Sequence, residues 1–311
     1  MTLPIATGAI RGRPAIPFPG GTWGAGLVAA PLLVASVLLP QGERALVALA
    51  FIIVLGVPHG ALDGEIARDG LRPRYGRWWF SVFAAPYLLL SAGVFVAWAA
   101  APLATLAGFL LVSVWHFGAE EREGADALEV VARGGLPIAV PTLAHPGATA
   151  GVFSVVTGTT MTTPPSWLTA AAVTWAGLAL VWVGRTAWQR AGGSLLRPAA
   201  MTAAFVLLPP LTAFAIYFVG IHAPAHTKAL IADRQLASRV RDARSAAWRA
   251  VPLTLLTIAI GAALWPLYPG PAPDRLLALT LQGLAALTLP HLVLEIIARR
   301  VAGRVGASRP A

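Results

Sequence analysis

Apolar and polar positions divide this chain into long apolar runs joined by short charged connections. Runs of spanning length lie at about 24–40, 45–62, 79–100, 102–118, 167–184, 199–226, 250–268 and 276–298. A helix rises 1.5 Å per residue, so about 17–25 apolar residues cross the roughly 30 Å hydrocarbon layer of a bilayer. No water reaches the backbone there, and a helix satisfies its own polar groups within one segment. The pattern therefore predicts an all-α, polytopic integral membrane bundle of about eight spans. A ninth, weaker candidate at 127–144 carries Arg133, Gly134, Gly135, Pro137 and Pro141. The stretch 145–166 has no Asp, Glu, Lys or Arg and is rich in Gly, Thr and Pro, which predicts a loop or a short re-entrant piece. Residues 1–311 form one integral-membrane domain: an N-terminal segment 1–22, a transmembrane core 24–298 and a basic tail 299–311. The N-terminal segment lacks a compact apolar core followed by a small-residue cleavage site, so no removable signal peptide is expected.

Composition agrees with the pattern. Hydrophobic residues make up 57% and charged residues 12%, against about 25% charged in soluble domains, and the mean hydropathy is +0.71. There are no cysteines, which excludes disulfides, thiolate ligands and Cys nucleophiles. The net charge of +10 sits on arginines in short connections, so it reports topology and contact with anionic lipid rather than nucleic acid. Arg68, Arg72, Arg74 and Arg77 crowd one connection. Lys228, Arg234, Arg239, Arg241, Arg244 and Arg249 crowd another, and Arg299, Arg300, Arg304 and Arg309 lie at the C-terminal end. With Arg11 and Arg13 inside, eight spans bring all these groups and both termini to the cytoplasmic face of the cell membrane. The same count leaves Arg185, Arg190 and Arg197 on the opposite face.

Histidines are the chemistry-bearing residues. His222 and His226 are four apart, just over one helical turn, so both imidazoles face one way, as a chelating pair on a single helix requires. The alternative is a membrane-end pair that reaches to the interface. Under eight spans, His59, His116, His222, His226 and His291 all lie toward the cytoplasmic end of spans running in the same direction. Asp63, Glu120 and Glu295 each follow a histidine by four residues, within reach of the imidazole N–H that a metal-bound histidine presents. Neutral imidazoles without thiolate suit Fe(II), Zn or Cu. Six histidines are too few for the eight-histidine di-iron clusters of membrane desaturases. His145 stands apart in the 145–166 stretch and is read as a solvated loop residue. Trp115, Phe117, Tyr217 and Phe218, with Trp78, Trp79, Phe80 and Phe214, are candidates for walls of an apolar tunnel. Pro224 removes a helical hydrogen bond to the Gly220 carbonyl and favours a kink.

Val57-Pro58-His59-Gly60-Ala61-Leu62-Asp63 and Ser113-Val114-Trp115-His116-Phe117-Gly118-Ala119-Glu120-Glu121 resemble the first two signature motifs of the Brp/Blh family of membrane β-carotene 15,15'-dioxygenases. His222-x-x-x-His226 fits the third motif, and Leu289-Pro290-His291 a later element. The resemblance covers residues 50–295 and implies Fe(2+) held by His59, His116, His222 and His226, with His291 outside that set. It further implies oxidative cleavage of β-carotene by O2 to two molecules of retinal, often serving a rhodopsin, with no covalent catalytic residue. Asp63, Glu120, His291 and Glu295 are expected to hold the imidazoles or to lie beside substrate. Ala223 and Ala225 stand where the family carries serine and arginine, and Glu120-Glu121 where an aspartate is usual, which bears on substrate and on the bond cut. Two other readings compete: a membrane transporter using His/carboxylate pairs as a proton pathway, and a catalytically silent carotenoid- or retinal-binding relative.

Overall fold

The computed structural model describes residues 21–121, 125–189 and 191–307, and the described residues are helical without strands. The basic residues Arg11, Arg13, Arg190 and Arg309 lie outside the described residues. Helix α1 (Gly21–Leu38) turns at Leu39-Pro40 into α2 (Gln41–Phe51). A π-helical turn, Ile52–Gly56, carries α2 into α3 (Val57–Gly60), and α4 (Asp63–Tyr75) follows. Then come α5 (Trp79–Ala100), α6 (Pro102–Glu121), α7 (Ala127–Ala144), α8 (Pro146–Thr157) and α9 (Ser166–Trp188). Next are α10 (Leu196–Leu207), α11 (Pro210–Tyr217), a second π-helical turn at Phe218–His222, and α12 (Ala223–Ala232). Helices α13 (Ala243–Leu264) and α14 (Ala272–Ala307) complete the chain.

Among the described residues, six stretches are long and apolar enough to cross a membrane: 42–100, 102–120, 127–144, 166–188, 243–267 and 272–301. The first contains two of the expected runs, 45–62 and 79–100, joined through α4. The run 199–226, expected as one span, is two helices broken at Leu208-Pro209. Leu208 is extended (φ −109°, ψ 156°) because the following proline excludes the helical conformation. Nothing in hydropathy marks that break, since leucines and phenylalanines continue on both sides. The stretch 145–166 is likewise not all loop: Pro146–Thr157 is helical and buries Thr149, Ala150, Val156 and Thr157.

Helix directions follow from specific contacts. The Asp126 carboxylate caps α7, accepting from the Glu129 amide at 3.0 Å, and pairs with Arg185 at 2.7 Å. Those two contacts, the arginine's first, hold Asp126 below the usual carboxylate range. Trp175 Nε1 donates to the Val131 carbonyl at 3.0 Å, so α9 lies antiparallel on α7. Arg133 reaches the Ser194 carbonyl at 3.4 Å and His145 the Val206 carbonyl at 3.0 Å, so α10 runs parallel to α7. Phe205 of α10 meets Tyr217 with ring centroids 6.4 Å apart, and α11 therefore doubles back along α10. The Asp126–Arg185 pair puts Arg185 at the N-terminal end of α7, and Arg197 lies beside Arg133 and Leu136, level with the middle of that helix. A glycine contact sets the closest crossing: a Cβ on Gly118 would overlap the Val130 carbonyl, and one on Gly134 the Val114 carbonyl.

Candidate metal centre

Both π-helical turns immediately precede a histidine-bearing segment, and each is followed one residue later by a proline, Pro58 or Pro224. A proline inside a helix lacks the N–H for its i−4 carbonyl, and its ring crowds that carbonyl. The wider π turn relieves both problems, so the kink expected at Pro224 appears as a π bulge, a feature frequent at functional sites. The two bulges meet. Gly56 in the first has no Cβ, and the Phe218 ring of the second occupies the space one would fill.

Helix α3, the second bulge and helices α6, α12 and α14 bring five histidines together. Ring centroids of His59 lie 5.2 Å from His222 and 5.5 Å from His226. His116 lies 4.8 Å from His222 and 5.3 Å from His291, and His226 lies 5.0 Å from His291. His116, His222, His226 and His291 are buried, while His59 is half-buried. His145, between α7 and α8, is not among them and donates to the Val206 carbonyl of α10. The histidine expected to stand outside the ligand set, His291, is thus as central as the others.

The carboxylates take two different positions. Asp63 is on the outside of the cluster: its Oδ1 accepts from His291 Nδ1 at 2.8 Å and its Oδ2 from the Tyr87 hydroxyl at 2.9 Å. That contact fixes the His291 tautomer and turns Nε2 inward. His59 is held likewise, with Nδ1 donating to the Gly56 carbonyl. Glu120 instead lies among the imidazoles. It is 3.3 Å from His226 Nδ1, 3.4 Å from His222 Nδ1, 3.5 Å from His116 Nδ1 and 3.7 Å from His291 Nε2. Glu295 is 3.6 Å from His226 Nδ1 and 3.6 Å from the exposed Arg299.

These separations exceed the roughly 2.7–2.9 Å of a charge-assisted hydrogen bond. They match the edges, about 3.4 Å, between donors placed about 2.1 Å from a tetrahedral metal. His116 Nδ1, both nitrogens of His222, His226 Nε2, His291 Nε2, Glu120 Oε2 and Glu295 Oε1 are buried without a hydrogen-bond partner. Leaving such atoms unsatisfied costs about 1–3 kcal/mol each, and buried carboxylates cost several more without a cation. The residues therefore fit a divalent metal.

One wall of the cluster is open to a cavity of about 650 Å³. His59, His116 and His291 reach it at one point, and the remainder is largely apolar, with Phe80, Phe83 and Phe95 on one side. Phe80 and Leu88 of α5 and Leu256, Ile258 and Ile260 of α13 line the cavity, yet each is 37–49% exposed. The mouth therefore lies between α5 and α13, on the flank of the bundle.

Of the expected tunnel residues, Phe117, Phe218, Phe80 and Phe214 line this cavity. Trp115 and Tyr217 do not. Ser113, His116, Phe117 and Glu120 share the inner face of α6, whereas Trp115 projects with Leu111 from the opposite face and is 57% exposed. Tyr217 is buried behind the site, against Phe117, Phe205 and His222. Trp78 is exposed beside Arg77, and Trp79 packs on Phe80 outside the cavity lining. Sequence reading missed Tyr87. It is one aromatic among many in its span, and only the fold sets its hydroxyl on Asp63.

Fold and site together define a polytopic helical membrane protein with a buried histidine–carboxylate cluster at the wall of an apolar, laterally open cavity. Residues 50–297 match the family described as Beta-carotene 15,15'-dioxygenase, and the chain belongs to that enzyme family. It is 28% identical over 321 aligned residues to the probable beta-carotene 15,15'-dioxygenase Blh of Halobacterium salinarum, covering 90% of this chain and 92% of that protein. It is 27% identical over 264 residues to the beta-carotene 15,15'-dioxygenase of uncultured marine bacterium 66A03, covering 79% of this chain and 91% of that one. No solved structure matches the chain.

Proposed function

We propose that this protein cleaves β-carotene, or a closely related carotenoid, at its central 15,15' double bond with O2, giving two molecules of retinal. Iron(II) in the histidine cluster would supply the activation of O2. His59, His116, His222 and His226 are its proposed donors, and His291, which Asp63 holds with Nε2 turned inward, is proposed as a fifth imidazole for the same ion. The observation that carries this reading is the meeting of five imidazoles with a largely apolar cavity that opens between α5 and α13 on the flank of the bundle. A C40 polyene dissolves in lipid, so lateral access spares it any transfer through water. A cavity of this size lies within the roughly 300–1,000 Å³ range of small-molecule sites. The aromatic walls exclude water, and no nucleophile or acid–base residue is needed. Retinal would leave to the membrane, where a retinal-using rhodopsin of the same cell could receive it.

The proposed setting is the cell membrane, as one integral-membrane unit with both termini cytoplasmic. Among the described residues, six stretches are long and apolar enough to cross it, whereas α10, at 12 residues, rises about 18 Å and reaches only part of the way. The proposed orientation puts Arg68, Arg72, Arg239, Arg249 and Arg299 at the cytoplasmic end, in keeping with the positive-inside rule. The clustering of the histidines in one layer argues against a proton pathway, which needs polar groups through both leaflets.

Expression in β-carotene-producing cells tests the function. Loss of orange colour with formation of retinal is expected; His222→Ala should abolish both activity and bound metal, and His145→Ala should retain both. Absence of bleaching together with absence of metal in the purified protein would refute the reading and leave the silent-relative alternative.

A further inference from the structure

We infer that the Ser91 and Ser113 hydroxyls form a subsite for the aldehyde oxygen of retinal, in the cavity just beyond the histidine cluster. The inference rests on the reading of the protein as a retinal-forming enzyme and adds where the polar end of the product is held. Both serines line the cavity and both are buried, at 8% and 3% exposure. Hydroxyls in these helices commonly turn back to the carbonyl four residues earlier, as Ser154 does to Ala150, Thr142 to Ile138 and Thr288 to Leu284. Ser91 does not. Its Oγ is buried without a hydrogen-bond partner, a state that is unfavourable unless a ligand supplies the partner.

Helix geometry places the two hydroxyls on the same side of the cluster. Tyr87 is level with it, since its hydroxyl donates to the carboxylate that holds His291. Ser91 lies one turn further along α5, about 6 Å on. Ser113 precedes His116 by three residues, about 4.5 Å along α6. Helices α5 and α6 are joined at Ala101, so both steps lead from the cluster toward that turn. The lining on α14 runs the same way, from His291 to Leu276 over about 22 Å, and Leu281 and Ala285 pack with Trp98 and Leu106 beside the turn. The serines therefore stand near the start of a long apolar arm. Their position identifies the ligand. A carotene carries no oxygen, and hydroxylated carotenoids carry theirs on the end rings, so neither offers a partner to hydroxyls beside the middle of the polyene. Central cleavage creates an aldehyde at the cut end of each half. A half lying in the arm brings that oxygen to the level of the serines, where two hydroxyl donors match its two lone pairs. The subsite favours the aldehyde over the hydrocarbon from which it came.

The test is equilibrium binding of all-trans-retinal to the full-length protein in detergent under anaerobic conditions. The comparison ligand is the hydrocarbon with the same ring and polyene and a methyl group in place of the aldehyde. Native protein should bind retinal more tightly than the hydrocarbon, and the carbonyl stretch of bound retinal should lie at lower frequency than in detergent alone. Ser91→Ala and Ser113→Ala should each weaken retinal about 2–12-fold, the range of one net hydrogen bond. Each should also return the carbonyl stretch toward its detergent value and leave hydrocarbon affinity unchanged, which shows the variant cavity to be intact. Ser91→Ala removes an unpartnered hydroxyl, so the thermal midpoint of the ligand-free protein should hold or rise slightly. Native affinities within twofold for the two ligands, retinal binding unmoved in both variants, or variants that weaken both ligands equally would overturn the subsite. The measurement needs no turnover. A native protein that forms retinal from β-carotene but fails it loses the subsite alone, whereas one that forms no retinal loses the cleavage reading whichever way the binding falls.

Discussion

Asp63→Asn isolates the part of the site that the fold supplies and that no ligand substitution would test. Asp63 is 1% exposed and accepts two hydrogen bonds, from His291 Nδ1 at 2.8 Å and from the Tyr87 hydroxyl at 2.9 Å. Asparagine keeps the shape and one acceptor oxygen, but loses the charge and offers an NH2 group in place of the second oxygen. Hydrogen bonds to a charged group contribute about 1.5–3 kcal/mol, against about 1 kcal/mol for neutral ones. Loss of a carboxylate that orients a metal-bound histidine typically costs 10–100-fold in metal affinity or activity, equivalent to about 1.4–2.7 kcal/mol. The variant should therefore bind metal 10–100-fold more weakly under chelator competition and form retinal correspondingly slowly at limiting metal. Tyr87→Phe, which leaves the Asp63–His291 contact intact, should have a smaller effect on affinity. Metal affinity and retinal formation within twofold of the native protein in Asp63→Asn would refute the argument that this carboxylate holds His291 for the metal.

The remaining predictions concern packing, the cavity and one ion pair. Gly118→Ala and Gly134→Ala each push a Cβ into the backbone of the facing helix and should lower the thermal midpoint, with overpacking costing about 1–3 kcal/mol. Gly93→Ala, where nothing lies within 4 Å of the added carbon, should be neutral or slightly stabilising. Gly283 lines the cavity with open space at its Cβ, so Gly283→Phe should slow cleavage of a full-length carotenoid while leaving metal content unchanged, whereas lipid-facing Trp115→Ala should leave turnover within twofold of native. Asp126 has its pKa lowered by Arg185 and the Glu129 amide. Its folded value lies below its unfolded one, so the contribution to stability is present above about pH 4 and lost as pH falls through the folded value. Thermal midpoints of native and Asp126→Asn proteins should differ at neutral pH and converge in acid.

Hydropathy and residue spacing carried much of this protein's description. The all-α membrane class follows from apolar runs that only a helix can satisfy in lipid. The i, i+4 spacing of His222 and His226, and of each acid after its histidine, is local geometry that any helix reproduces. The motif residues around His59 and His116 were sufficient to indicate the family. Other features depended on contacts between segments distant in the chain. The break at Leu208-Pro209 lies inside an unbroken apolar run, and only the α7–α9–α10 contacts reveal that the chain turns back there. Glu120 and Asp63 share the same offset from a histidine, yet one lies among the imidazoles and the other outside them. That difference arises because α6 faces α12 and α14 across the cluster, while Asp63 begins α4 beside α5. Trp115 and Phe117 are two residues apart on α6, so roughly 200° of helical rotation separates them. Which of the two lines the cavity and which is exposed on the outer face was decided by the helices packed against α6.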